Sequence, residues 1–167
     1  MLHANADRDQ ILTTLAPLCQ GIDRDILQDF VTRMDPDYFS AFSPNTLAAH
    51  ITQAATLTPD HPCDVSIEET AGGHFLITIV AYDYFSEFAT ICGLLSAFGL
   101  NIEEGRIFTS AESEQPNRNR SADPYPIRTR PQGRPGLTRK KIVDVFTVSP
   151  IEGQTFAAAN RKRLTDQ

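Results

Sequence analysis

The chain has 167 residues, 41% of them hydrophobic and 22% charged, with a net charge of −6. That is the make-up of an ordinary soluble domain with a core, and it excludes nucleic-acid binding driven by overall charge. No apolar run nears the roughly 18 residues of a membrane span, and the opening MLHANADRDQ lacks a secretory signal, so no membrane partner is expected. Cys19, Cys63 and Cys92 are odd in number and widely spaced. They read as unpaired thiols in a reducing cytoplasm.

Residues 7–57 read as helical. Ile11, Leu12, Leu15 and Leu18 share one face of a first helix, with Gly21 as its cap. Ile26, Leu27, Phe30, Val31 and Met34 repeat at helical spacing behind Asp23, a residue suited to an N-cap. Asp35-Pro36 breaks that run. DYFSAF is a short aromatic connector of about one helical turn. Ser43-Pro44 then opens a further helix with a serine cap and a first-turn proline, and Leu47, Ala48, Ile51, Ala54 and Ala55 form its buried face.

From Pro62 the period changes to two. Cys63, Val65 and Ile67 alternate with Asp64, Ser66 and Glu68, the mark of a half-buried strand. AGG at 71–73 is a turn, and HFLITIVAY, apolar nearly throughout, is a central strand paired to the first as a hairpin. Phe88, Ile91, Cys92, Leu95 and Phe98 make a helical stripe that ends at Gly99 in a left-handed turn. A strand follows at once, alternating Ile102, Glu104, Arg106 and Phe108 against Glu103, Gly105, Ile107 and Thr109.

The stretch 111–139 holds Pro116, Pro124, Pro126, Pro131 and Pro135 and is read as a long flexible insert. From Arg118 to Lys141 the chain is basic: Arg118, Arg120, Arg128, Arg130, Arg134, Arg139, Lys140 and Lys141 stand against Asp123 alone. The first 60 residues are acidic, so the two regions can attract each other. KKIVDVFTVSP is a strand apolar on both faces, and GQTFAAANRKRL a last helix with Phe156 and Ala159 inward. The expected fold is α+β: a helical segment over 1–60, then an antiparallel four-stranded sheet with two helices on one face over 61–167. Cys63–Thr70 is expected to fill the outer edge of that sheet.

Two motifs carry a resemblance. Asp83 after an apolar strand, Gly99-Leu100-Asn101-Ile102, Thr109 and Asp144–Val148 in DVFTV together resemble the ACT domain, over about half of the chain. Upstream, Tyr38-Phe39, Ser43-Pro44 and His50 resemble the segment before the first ACT domain of bacterial PII uridylyltransferase/uridylyl-removing enzymes. Nucleotidyltransferases that adenylylate glutamine synthetase carry similar regions.

The resemblance implies a ferredoxin-like regulatory domain of nitrogen metabolism, binding glutamine or another amino acid. The ligand residues it implies are Asp83, Tyr84, Phe85, Ser86, Glu87, Phe88, Asn101 and Ile102. It also implies a homodimer, or contact with the catalytic domains of a parent nucleotidyltransferase. The loop departs from the family pattern. It has no glycine, Tyr84 and Phe85 are bulky, and Glu87 would repel a ligand carboxylate. These residues favour the alternative of a dimerisation or protein-interaction module that senses nothing.

The chemistry of catalysis is not legible. No Gly-Ser dipeptide precedes spaced aspartates, as nucleotidyl transfer needs, and none of His3, His50, His61 and His74 is followed by aspartate, as the HD phosphohydrolases need. His50 reads as a packing or capping residue, and Cys92 as part of an apolar helix face. The expectation is a chain with no catalytic residues, metal or cofactor, part of a longer parent protein. Nucleic-acid binding through the basic insert is the least favoured reading.

Overall fold

A computed structural model describes residues 3–83, 87–112 and 139–166. Tyr84, Phe85 and Ser86 of the ligand loop, and 113–138 of the insert, lie outside the described residues. The element order is α1 (His3–Leu15), α2 (Arg24–Arg33), α3 (Pro36–Ala41), α4 (Pro44–Thr56), β1 (Cys63–Glu69), β2 (Phe75–Tyr82), α5 (Glu87–Ala97), β3 (Leu100–Thr109), β4 (Lys141–Pro150) and α6 (Ala158–Thr165).

Local chemistry sets most of these boundaries. Asp23 caps α2 by accepting from the Asp25 N–H, Asp35 caps α3 in the same way, and Ser43 caps α4 by accepting from the Thr46 N–H. Each cap satisfies one of the N–H groups that a helix start leaves open. Proline occupies the first turn of both α3 and α4, where its missing N–H costs nothing.

Helix α1 is shorter than its apolar spacing predicts. Pro17 disfavours helical geometry at Ala16, so the helix closes at Leu15 and Leu18 turns out to 44% exposure.

The four strands form one antiparallel sheet in the order β1-β2-β4-β3. Strand β1 occupies the outer edge as expected, with Val65 opposite Ile79 and Ile67 opposite Ile77. The turn between them needs positive φ at consecutive residues, 77° at Gly72 and 78° at Gly73, and only glycine adopts that without strain.

Both faces of the sheet are covered. On one, α5 and α6 bring Ile91, Leu95 and Leu164 onto Ile77, Ile79, Phe146 and Val148. On the other, the N-terminal helices bring Leu27, Val31, Tyr38 and Ile51 onto Val80, Tyr82, Val143 and Val145. The Tyr82 hydroxyl donates to the Leu57 carbonyl at 3.0 Å and ties the end of α4 to the sheet.

Strand β3 does not keep strict alternation. Its pairing with β4 shifts between Ile102 and Glu104, which leaves Glu103 as a bulge. Ile102 therefore faces α5 and α6, while Phe108 faces the N-terminal helices.

The last helix starts later than expected. Phe156 is 4% exposed but precedes α6, Ala159 is exposed, and Leu164 is the residue that α6 buries. Among the described residues no helix is long and apolar enough to cross a membrane.

Candidate functional site at the polar end of the sheet

One end of the sheet concentrates charge. There β2 and β3 finish and β4 begins, so Asp83, the segment after Thr109 and the residues before Lys141 lie side by side. The Asp83 N–H donates to the Lys140 carbonyl at 2.9 Å, and the Ser110 N–H donates to the Lys141 carbonyl at 2.8 Å. The Lys141 N–H donates to Ser110 Oγ at 2.8 Å. These bonds hold the two ends of the insert together.

Arg33, in the last turn of α2, fastens the N-terminal helices to this end. Its Nε donates to the Ala111 carbonyl at 2.8 Å, and a terminal nitrogen donates to the Arg139 carbonyl at 3.1 Å. Its other terminal nitrogen pairs with Asp29 Oδ2 at 3.0 Å, and the side chain is only 7% exposed. Main chain completes the contact, because the Ala111 N–H donates to the Arg33 carbonyl at 2.9 Å. A planar guanidinium with donors in a fixed fork suits this task, where one side chain must reach three acceptors at once.

Around this fork Lys140 pairs with Glu112 at 3.6 Å, and the Arg139 guanidinium lies 5.5 Å from the Tyr82 ring centre. Lys141 is buried at 6% exposure under α2. Burial pushes its ammonium below the ordinary lysine value; Asp29 pulls it back up, and Arg33 pushes it further down.

A second polar feature lies deeper. The Tyr38 hydroxyl sits 3.0 Å from His50 Nδ1, with Tyr38 wholly buried and His50 3% exposed. Phe30, Phe39, Phe42 and Phe108 all pack edge-on around Tyr38, at 5.1 to 5.8 Å between ring centres. Burial lowers the His50 pKa from 6.5 to about 4 and raises that of the Tyr38 hydroxyl. The imidazole is therefore neutral and the phenol protonated at pH 7. Arg106 of β3 reaches over this cluster, donating to the Ala41 carbonyl at 3.2 Å with its guanidinium 5.9 Å from the Phe42 ring centre. The Tyr38…Ser43-Pro44…His50 pattern is thus a buried hydrogen-bonded pair plus a helix cap, and His50 packs as its sequence setting predicts.

The residues expected to bind a ligand separate into two groups. Asp83 is exposed at the polar end. Phe88 is 51% exposed on the first turn of α5, with its ring 6.4 Å from that of Phe146. Glu87 opens α5. Asn101, exposed, and Ile102, half-buried, stand at the opposite end of the sheet, opposite Ser149 and Val148. Antiparallel order dictates this: α5 carries the chain back from the end where β2 finishes to the end where β3 begins. A single copy of the chain does not bring Asp83 and Asn101 into one pocket.

Among the described residues no group of three His, Cys, Asp or Glu side chains is placed to hold a metal ion. Comparison with known protein families finds no model that matches this chain, and comparison with curated proteins finds no significant match.

Sequence reasoning missed Arg33, Ser110 and Lys141. Arg33 was legible only as a favourable cation in the last turn of a helix. The paired Lys140-Lys141 before an apolar strand was a usable signal, since Lys141 is in register with Tyr82 inside the sheet.

Proposed function

We propose that the chain is a non-catalytic regulatory module of the ACT type, belonging to a nucleotidyltransferase of nitrogen metabolism and working through contacts between copies. The observation that carries this reading is the sheet itself. Its order β1-β2-β4-β3, with α5 and α6 on one face, is the ferredoxin-like arrangement the resemblance implies. The β1 ribbon stands where that arrangement needs its fourth strand.

The separation of Asp83 from Asn101 supports the same reading. Two such half-sites can line one ligand only if a second copy supplies the other half. Strand β3 offers the edge for that contact. It is ten residues long, lies outermost in the sheet, and shows Ile107 at 46% exposure. An unpaired edge of that length is a template for another strand. Glutamine is the effector to try first, because it is the ligand the resemblance implies.

Sedimentation velocity with and without glutamine tests this. The expected result is concentration-dependent self-association that millimolar glutamine strengthens and Ile107→Asp weakens, with unchanged circular dichroism. A strict monomer at several hundred micromolar, with or without glutamine, sinks the reading. Association indifferent to glutamine selects the second reading, a dimerisation module that senses nothing. The glycine-free loop from Asp83 to Phe88 favours that outcome.

A further inference from the structure

The head of the molecule carries a cleft that the sheet does not share. It lies between α1 and α2, has a volume of about 600 Å³, and is lined by residues of these helices and the turn that joins them. That is within the roughly 300–1,000 Å³ range of small-molecule sites. Its floor is apolar: Leu12, Ala16, Ile22 and Leu27 line it. Leu12 and Ile22 are only partly buried, so apolar surface there remains open.

The rim is polar and of both signs. Asp9 of α1 and Arg24 of α2 line the same cleft, with Gln28 one turn beyond Arg24. Among the described residues, neither Asp9 nor Arg24 makes an ion pair, and the Gln28 carboxamide makes no hydrogen bond. An unpaired anion and an unpaired cation flanking one apolar floor match a zwitterion with an apolar body. The cation takes a carboxylate, the anion an ammonium, and the floor an aliphatic or aromatic side chain.

We infer that this cleft binds an apolar α-amino acid, with Arg24 receiving the carboxylate, Asp9 the ammonium, and Leu12, Ala16 and Leu27 the side chain. The inference rests on the reading of the chain as an effector-binding regulatory module. It moves the effector from the loop after β2 to the helical head and changes it from glutamine to an apolar residue. Cys19 also lines the cleft and is 4% exposed, and burial raises its thiol pKa, so it contributes as a neutral apolar wall.

The test is calorimetry and thermal shift on the full chain with leucine and phenylalanine. The controls are leucinamide, which lacks the carboxylate, isocaproate, which lacks the ammonium, and glutamine. Leucine or phenylalanine should bind and raise the melting temperature, and each truncated analogue should bind about tenfold or more weakly. Asp9→Asn and Arg24→Gln remove exposed groups with no internal partner, so both should fold normally and weaken binding about tenfold each. Ala16→Phe, filling the floor, should abolish it.

Binding of leucine that all three variants leave unchanged overturns the assignment. So does failure of every apolar amino acid to bind. Glutamine binding that Asp9→Asn and Arg24→Gln do not touch, with no binding of leucine or phenylalanine, refutes this site while leaving the module reading intact. Leucine binding lost in both variants, in a protein that stays a strict monomer, keeps the site and sinks the module reading.

Discussion

His50 gives the sharpest handle on how the N-terminal helices are held. The imidazole is 3% exposed, its Nδ1 is 3.0 Å from the Tyr38 hydroxyl, and burial depresses its pKa from 6.5 to about 4. The sign follows directly. A group that the fold keeps neutral contributes fully above its unfolded pKa, and that contribution is lost as pH falls through 6.5 towards 4. With each pKa unit equal to 1.36 kcal/mol, the loss between pH 7.5 and pH 5 is about 2 kcal/mol, levelling off near 3 kcal/mol below pH 4.

Many carboxylates titrate over the same range, so the wild-type profile alone decides nothing. The informative quantity is the difference from His50→Gln, whose carboxamide can still accept from Tyr38 but cannot ionise. Urea unfolding of both proteins at half-unit steps from pH 7.5 to 4.5 measures it. His50→Gln should be the less stable protein at pH 7.5 through imperfect packing, and the gap should narrow by about 2 kcal/mol by pH 5. In melting temperature that is about 4–8 °C. A gap that stays constant from pH 7.5 to 5 would mean that His50 titrates normally, and the account of a dry aromatic cage around Tyr38 would fail.

Arg33→Met removes the fork that serves Asp29, Ala111 and Arg139, leaving two carbonyls and a part-buried carboxylate to find other partners. The expected cost is about 2–3 kcal/mol in urea unfolding, and a cost below 0.5 kcal/mol would show that the fork holds nothing together. Lys141→Met should stabilise the chain, because it removes a buried ammonium whose pKa the fold lowers. For the same reason wild-type stability relative to Lys141→Met should recover as pH rises from the lowered lysine pKa towards 10.5. Loss of stability in Lys141→Met at pH 7 would refute this.

Gly99→Ala brings its Cβ against Gln154 Oε1, the free end of an exposed side chain that can swing aside, so its cost is set by the φ of 71°. The backbone penalty should be about 1 kcal/mol, and the double variant with Gln154→Ala should recover little of it in thermal melts; full recovery in the double variant would show that the collision sets the cost.

The parts of the fold that were legible were those that local chemistry dictates. Asp23 and Ser43 cap helices because their side chains suit that one position. Gly72-Gly73 makes the hairpin because a turn with positive φ at both residues excludes almost everything else. The pairing of Val65 with Ile79 then follows from the alternation, since a slip of one residue would turn Cys63, Val65 and Ile67 to the opposite face.

What was not legible depends on distant partners. Alternation in β3 pointed Ile102 and Phe108 the same way, and nothing local at Glu103 announces the bulge that separates them. The bulge is worth its lost pairing because it delivers Phe108 to Tyr38 at 5.2 Å and Phe42 at 5.7 Å. Those residues lie about seventy positions earlier in the chain.

The candidate site was legible only in pieces for the same reason. Asp83 and Asn101 belong to one motif but stand at opposite ends of the sheet, because α5 carries the chain from one end to the other. Arg33 meets Ala111 and Arg139 across 78 and 106 residues, which no spacing rule anticipates.

The relation of the helical head to the sheet was, however, written into the strands. A sheet with helices on one face and water on the other carries alternating strands. Strands β2 and β4 do not alternate. Ile77, Ile79, Phe146 and Val148 serve α5 and α6, while Val80, Tyr82, Val143 and Val145 between them are equally buried. Such strands demand a second cover, and α2, α3 and α4 provide it. The helices in turn are too short to persist without a partner surface. The two parts thus share one core, and Arg33 locks them together at the end where the insert departs. A protein shortened to begin at Pro62 would expose the Val80–Val145 face. It should therefore aggregate or lose cooperative unfolding, as native gel and calorimetric melts would show. A well-behaved, cooperatively melting monomer from residue 62 onwards would show that the head is an accessory, and that the second apolar face has some other occupant.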